Sequence, residues 1–271
     1  MLVSISGMLS TLIVAGILGF IEIEYGQALY SFMFFFIIPI GAGLAGFAAA
    51  SGYYLGVKIF NSKPVGGVLI NVLTASLAAY FLVQYIPYFF MEHKGIRIST
   101  AVPFLEYLDL IIRSTSLSFS VRSSSVGSTG ELGSTMGYVY ALVQVIGFSI
   151  GGLAVFGFVS DIPYCEACSK FLSKTGKQNR YTSNGDELID NIPRFSEFLV
   201  DGHCQNAIEF HKSMGASASS SCHLKSQVLL HQCPLCKLSH IDFVAKRLKN
   251  DDWEDVDGTK IIHWTDEELT V

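Results

Sequence analysis

Long apolar runs alternate with short polar links over the first 160 residues of the chain. Four of these runs, residues 3–21, 30–54, 65–88 and 136–159, carry no charge. Each is about as long as the ~20 helical residues that cross a hydrocarbon core of roughly 30 Å. The first run lacks the basic start and the clear cleavage site of a signal peptide, so we interpret it as a retained helix. The pattern predicts a bundle of four transmembrane helices over residues 1–160, with helices buried in a soluble core as the alternative.

The basic residues predict the orientation of these spans. Lys58 and Lys63 lie in the link between the second and third runs, whereas the link between the first and second has no basic residue. The fourth run is followed by further basic residues: Lys170, Lys174, Lys177 and Arg180. Because basic links stay in the cytoplasm, we expect both termini there and the loop of residues 89–134 outside. The basic residues within that loop argue mildly against this assignment.

The predicted spans contain no Asp, Glu, Lys, Arg or His. Ion-coupled carriers, proton relays and voltage sensors normally need such a group inside the membrane, so this sequence disfavours a carrier that works through its own four helices. A few polar residues do lie within the spans: Asn71, Thr74, Gln84 and Gln144. We expect these side chains to form interhelical hydrogen bonds.

Small residues mark the second and fourth runs. Gly41, Ala45 and Ala49 lie four residues apart, and Gly147 and Gly151 form a G-x-x-x-G pattern. Faces of this kind let helix backbones approach closely. The contact could pack the second run against the fourth within one chain, or it could join copies of the chain into a homo-oligomer.

The loop of residues 89–134 is too long for a simple connection. Residues 101–113 have the apolar spacing of a short amphipathic helix, and residues 123–134 are rich in Gly and Ser. Two interpretations remain open for this loop, a cap on the helix ends and a docking surface for another envelope protein.

The strongest chemical signal is a pair of Cys-x-x-Cys motifs after the fourth run. They are Cys165–Cys168 and Cys233–Cys236, and all six cysteines of the chain lie in residues 161–271. Two such motifs can supply four thiolates to one tetrahedral zinc ion. The insert of residues 169–232 is longer than the usual ~15–20 residues, but apolar runs flank the second motif as strands do in a zinc ribbon. We expect the insert to be mostly helical, from Asp186 to about Lys212. The sequence predicts zinc at Cys165, Cys168, Cys233 and Cys236.

Two other interpretations of these cysteines remain. A redox dithiol would use one motif, but such motifs usually open a helix after a strand, and no strand is expected upstream of Cys165. The other interpretation is that these cysteines bind no metal and pack in a small core. The remaining cysteines, Cys204 and Cys222, lie near His203, His211, His223 and His231 without matching a standard metal spacing.

The distribution of charge distinguishes the two parts of the chain and limits the classes of partner that the second part can bind. Only 15% of the residues are charged, against about 25% in an average soluble domain. Residues 161–271 hold 17 of the 23 acidic and 12 of the 18 basic residues, so this part is acidic and lacks the basic face that nucleic acid requires. Since the sequence contains no H-E-x-x-H motif, we predict no catalytic residues.

Several short motifs carry a resemblance to a known group. They are Ile38-Pro-Ile-Gly-Ala-Gly, Ala50-Ser-Gly-Tyr-Tyr, Gly130-Glu-Leu-Gly leading into Gly137-Tyr, and Tyr164-Cys-x-x-Cys. With these motifs the chain resembles a group of uncharacterised bacterial four-helix inner-membrane proteins that end in a cytosolic domain with two Cys-x-x-Cys motifs. The resemblance covers residues 30–170 best and implies an architecture without catalytic residues.

The sequence therefore predicts a membrane α-helical protein in the bacterial inner membrane. Residues 1–160 would form the four-helix domain in the bilayer, and residues 161–271 a small α+β, zinc-ribbon-like cytosolic domain. The expected function is that of a non-catalytic interaction or assembly subunit, which binds a protein partner through the cytosolic domain or the outside loop. A small oligomeric channel or membrane-perturbing effector is the first alternative, and a membrane thiol oxidoreductase is the second.

Overall fold

The computed structural model describes residues 2–34, 38–63, 66–93, 95–114, 116–117, 130–131, 134–216, 222–267 and 269. The chain divides into two compact units, Met1–Asp161 and Ile162–Val271. Much of the Gly/Ser-rich part of the loop that follows the third run lies outside the described residues.

The first unit is helical. Its helices within the described ranges are α1 (Leu2–Tyr25), α2 (Ile40–Phe60), α3 (Gly66–Phe90), α4 (Ile98–Ala101), α5 (Phe104–Arg113) and α6 (Ser134–Ser160). Two short antiparallel strand pairs accompany them: β1 (Glu92–His93) with β2 (Ile96–Arg97), and β3 (Ser116–Leu117) with β4 (Gly130–Glu131). The helices α1, α2, α3 and α6 are long and apolar enough to cross a membrane. Helix α5 lies within residues 101–113, where the sequence predicts a short amphipathic helix.

Helix α2 differs from the apolar run that predicted it. The run spans residues 30–54, whereas the helix is Ile40–Phe60 with Pro39 as its N-cap. Just before the helix, the backbones of Phe34 and Ile38 exchange two hydrogen bonds of 2.9 and 3.0 Å. Proline lacks an N–H and restricts the residue before it, so the helix starts after Pro39 although hydrophobicity continues through it. The other three predicted spans overlap α1, α3 and α6.

Helices α2 and α6 pack closely through their small residues. A Cβ atom on Gly46 of α2 would overlap the backbone of Phe148 in α6, and one on Gly151 of α6 would overlap the carbonyl oxygen of Gly43 in α2. The ring of Phe148 is fully buried. The G-x-x-x-G face of the fourth run therefore contacts small residues of α2 within one chain. On α2 these residues are Gly43 and Gly46, whereas Gly41 of the predicted pattern packs on the backbone of Leu29 and Phe32.

Some of the polar side chains in the long helices bond to other elements, as the sequence predicted. Gln144 Nε2 of α6 donates to Ser31 Oγ at 2.9 Å, in the turn Leu29–Ser31, and Asn71 Nδ2 of α3 donates to Ser4 Oγ of α1 at 3.2 Å. The hydroxyl of Thr74 instead donates to a carbonyl of its own helix. These bonds give hydrogen-bond partners to polar groups that lie on otherwise apolar helices.

The second unit contains an antiparallel sheet and two helices. Its elements are β5 (Tyr164–Cys165), β6 (Lys170–Phe171), β7 (Ser173–Thr182), α7 (Gly185–Val200), α8 (Cys204–Ser213), β8 (Leu224–Gln232), β9 (Ser239–Lys249), β10 (Asp252–Asp255) and β11 (Ile261–Thr265). The strand order is β7–β8–β9–β10, and β11 also pairs with β9. Strands β5 and β6 form a separate pair.

The core of the second unit lies between the helices and one face of the sheet. Phe195 and Leu199 of α7 and Ile208 of α8 are buried against Ile241 and Phe243 of β9. Side chains two apart on a strand share a face, so β9 presents both of its residues to the helices. The aromatic rings of Phe195 and Phe243 lie 4.8 Å apart. The helical insert was predicted, whereas the polar strand β7 was not.

Candidate metal centre

The two Cys-x-x-Cys motifs meet in the second unit. The Sγ atoms of Cys165, Cys168, Cys233 and Cys236 all lie within 4.8 Å of one another. Cys165 Sγ and Cys236 Sγ, one from each motif, are 3.6 Å apart. All four are free thiols. The structure thus brings together the four predicted ligands, and the group could hold a metal ion.

Each motif forms a tight turn between two antiparallel strands. The first joins β5 to β6, in which Cys165 pairs with Lys170. The second joins β8 to β9, where the Cys233 N–H donates to the Leu238 carbonyl oxygen at 2.8 Å. A tight strand–turn–strand unit directs the two thiols of a motif toward the same point. The helix that a redox dithiol normally opens is absent from this described segment, since Lys170 already belongs to a strand.

The residues that follow each motif adopt the left-handed conformation. Ser169 has φ +51° and Lys237 has φ +65°. Glycine usually occupies such positions because it has no Cβ to clash, whereas here serine and lysine occupy them. The two motifs nevertheless take corresponding turns.

The centre is closed on one side and open on the other. Cys165 and Cys233, the first residues of the two motifs, are completely buried together with Leu172. Cys168 is half-buried and Cys236 is exposed. Four protein sulfurs around one ion fill a tetrahedral coordination shell, so a metal held here would have no open position for a substrate.

The thiols differ in acidity. Hydrogen bonding to Cys236, together with burial, raises the pKa of the Cys168 thiol to about 12. Burial also raises the pKa of the Cys165 thiol. For Cys233 burial is outweighed by hydrogen bonds from the backbone N–H groups of Cys236 and Leu235, which lower its pKa to about 7. Four thiolates cannot share so small a volume without a cation, so metal binding would displace the remaining protons.

The cysteines and histidines outside the motifs do not form a second centre. In the described part of the chain, the four motif cysteines are the only group of three or more potential ligand side chains close enough for one ion. Cys204 begins α8 and is buried in the core, and Cys222 is half-buried before β8. His211 is completely buried and bonded to other side chains.

The polar cluster around His211 was not found from the sequence. His211 Nδ1 lies 2.8 Å from Gln178 Oε1, and its Nε2 lies 2.9 Å from Ser226 Oγ. Gln178 belongs to β7, whose polar composition hid it as a strand. No local sequence pattern indicates this cluster, because Gln178, His211 and Ser226 are far apart along the chain.

Comparison with known proteins identifies no relative. No protein-family model, no curated protein and no solved structure matches the chain. What the protein does must therefore be argued from its own residues.

Proposed function

We propose that this protein is a non-catalytic integral membrane subunit of the bacterial inner membrane. Its four long helices anchor it in the bilayer, and its C-terminal unit, stabilised by zinc, binds a protein partner in the cytoplasm. The observation that carries this proposal is the four-cysteine centre, whose four sulfurs would leave a bound metal no open position and so suit structural support rather than chemistry.

Helix length and surface composition support the membrane location. The helices α1, α2, α3 and α6 exceed the ~20 residues that span hydrocarbon. The outer surface of α1 exposes large apolar side chains, among them Leu9, Leu12 and Ile17, each more than half exposed. Such a surface would be an aggregation risk in water but is the normal exterior of a helix in lipid.

The basic residues support the orientation. Lys58 and Lys63 flank the link between α2 and α3, and basic side chains of β7 follow α6 closely. These segments belong in the cytoplasm by the positive-inside rule. The second unit, with its free thiols, then lies in a reducing compartment where metal binding competes well with disulfide formation.

Sulfur spacing supports zinc as the metal. Four sulfurs, each about 2.3 Å from a tetrahedral zinc ion, lie about 3.8 Å apart. The measured separation of 3.6 Å between Cys165 Sγ and Cys236 Sγ is close to this value, and the upper limit of 4.8 Å requires only small movements. A site made only of thiolates also favours zinc over magnesium or calcium, which prefer oxygen.

An apolar surface on β11 is where we place the protein partner. Ile262 is 52% exposed and Trp264 is 43% exposed. Both project from the same face, because they lie two residues apart on one strand. Within the described residues β11 pairs only with β9, so no strand there occupies its other edge. Aromatic side chains at such sites often contribute most of the binding energy.

The alternatives have less support. An oligomeric channel would need the small faces of α2 and α6, but Gly46 and Gly151 already pack within the chain. A thiol oxidoreductase would need a single reactive pair at a helix start, and here the motifs form turns between strands.

Site-specific crosslinking tests the proposal. A photoreactive phenylalanine analogue replaces Ile262 in the full chain, and the matched control carries it at Ile189, which is 64% exposed on α7. We expect the protein to resist carbonate extraction and position 262 to give one discrete heavier product. Position 189 should give none, and Trp264→Ala should remove the product by destroying the apolar surface.

Two results would overturn the proposal. One is equal crosslinking at both positions, which would mean that β11 has no specific partner. The other is ion leakage from vesicles containing the purified protein, which would support a channel.

A further inference from the structure

A cavity of about 270 Å³ lies within the first unit. It is bounded by α1 and α3, with the ring of Tyr53 from α2 contributing to its wall. Met8 and Leu12 line it on the α1 side and are themselves more than half exposed. The cavity is therefore open to the surroundings of the helices.

Two contacts between α1 and α3 lie on either side of this cavity. Near the helix starts, Asn71 Nδ2 donates to Ser4 Oγ at 3.2 Å. Further along, a Cβ on Gly19 would come within 2.6 Å of the Ile86 side chain, so the helices touch there as well. The fifteen residues from Ser4 to Gly19 rise about 22 Å. Between these two contacts, both helices contribute residues that line the cavity.

Contacts with α2 fix the position of α1 beside the cavity. Ser6 Oγ donates to the Gly52 carbonyl oxygen at 2.8 Å, and Ser10 Oγ donates to the Ala48 carbonyl oxygen at 3.1 Å. Tyr53 also packs directly on Gly7, where any Cβ would overlap its ring. These contacts hold α1 against α2. Small side chains of α3 then leave the space unfilled.

The lining changes from polar to apolar along the cavity. Ser4, Asn71 and Thr74 lie at the end where α1 and α3 begin, whereas Leu12 and Leu82 lie deeper. Thr11 also lines the deeper part, but its hydroxyl donates to the carbonyl oxygens of Gly7 and Ala49. Among the described residues that line the cavity, none is charged. An occupant would therefore have a polar end near the helix starts and an apolar body, with no requirement for charge.

We propose that this cavity binds one hydrocarbon chain of a bilayer phospholipid, whose polar end lies beside Ser4 and Asn71. The inference rests on the membrane location proposed above, which puts the helix starts at the lipid–water interface. A volume of about 270 Å³ is below the roughly 300–1,000 Å³ of sites for drug-sized ligands, so the occupant is slender. A helix of a second copy, about 10 Å in diameter, is too wide.

Photolabelling in vesicles tests this proposal. The full chain is reconstituted in phosphatidylcholine that contains a small fraction of the same lipid with a diazirine on one acyl chain. We expect labelled peptides to concentrate on the facing residues of α1 and α3. Replacing the phosphatidylcholine with phosphatidylglycerol should leave the labelling unchanged, because the lining carries no charge.

A matched pair of variants makes the test specific. Ala78 lines the cavity on α3, so Ala78→Phe should fill it and cause loss of this labelling. Leu77 is also exposed but is not part of the lining, so Leu77→Phe should retain it. Circular dichroism and gel filtration confirm that both variants keep the helical fold.

The outcomes separate this inference from the membrane proposal. Labelling spread over all exposed helix faces and unchanged in Ala78→Phe would overturn the bound chain, as would crosslinking to a second copy. Failure of the chain to enter vesicles at all would instead overturn the membrane location itself.

Discussion

The buried histidine of the second unit is held in its neutral form. Burial and the nearby charge of Arg180 lower the pKa of His211 to about 4. A neutral ring can donate Nδ1–H to Gln178 Oε1 and accept the Ser226 hydroxyl at Nε2, which fits both short contacts. Both ring nitrogens of His211 then have a hydrogen-bond partner, as low-dielectric interiors require.

This neutral histidine makes the second unit sensitive to acid. The unfolded chain binds a proton near pH 6.5, whereas the folded state resists protonation until about pH 4. The contribution of neutral His211 to the free energy of unfolding is therefore complete above pH 6.5. It decreases as the pH falls toward 4, by about 3 kcal/mol in total. Tryptophan fluorescence during urea unfolding of the full chain, at pH 7.5 and pH 5, measures the loss.

A pair of variants tests whether His211 causes this acid sensitivity. His211→Gln should be less stable at pH 7.5 but lose less stability on acidification than the wild type. The free energy of unfolding of this variant should still depend somewhat on pH, because burial also lowers the pKa of His240. His203→Gln changes an exposed ring and should keep the wild-type slope. An unchanged slope in His211→Gln would contradict the assignment.

At the scale of elements, α2 and α6 illustrate how small residues act. The spacing of Gly and Ala along the sequence predicts a close helix contact, but it cannot say which helix is the partner. The structure places Gly46 against Phe148 and Gly151 against Gly43, so the contact is made within the chain. An oligomer would have to use a different surface.

Glycine at position 46 should therefore be essential to the packing of α2 on α6. Gly46→Ala forces the two backbones apart, and overpacking of this kind costs about 1–3 kcal/mol. Gly43→Ala is the control, because its new methyl carbon would have no neighbour nearer than 3.9 Å. Thermal unfolding in detergent, followed by gel filtration, should show a lower midpoint only for Gly46→Ala. Equal midpoints would contradict the packing.

At the scale of the whole molecule, the metal centre joins distant parts of one unit. Cys165 and Cys168 precede the sheet, whereas Cys233 and Cys236 join its two central strands. A structural zinc site contributes about 10–16 kcal/mol, which is comparable to the entire stability of a domain, about 5–15 kcal/mol. The second unit should then fold only with its metal.

Loss of the metal should unfold the second unit and spare the first. Both tryptophans of the chain, Trp253 and Trp264, lie in the second unit. Cys233→Ser should remove about one zinc per chain and change the fluorescence of these two rings, while the long helices keep their circular dichroism. Cys222→Ser, a thiol outside the centre, should retain metal and fluorescence. Metal retained in Cys233→Ser would contradict the zinc centre.

The amino-acid sequence by itself determined the local features of this protein. Four apolar helices, the amphipathic helix α5, the helical insert and the four motif cysteines follow from periodicity and spacing, because each depends on residues near one another in the chain. Even here local chemistry mattered, since Pro39 starts α2 later than hydrophobicity alone suggests.

The tertiary structure decided everything that depends on distant residues. The polar strand β7 is a strand because it pairs with β8, not because of its own composition. His211 becomes a buried neutral ring only when Gln178 and Ser226 reach it from two strands. Likewise, the contact between α2 and α6 and the cavity beside α1 both result from the way the helices pack. The sequence of one helix does not specify which other helix lies beside it.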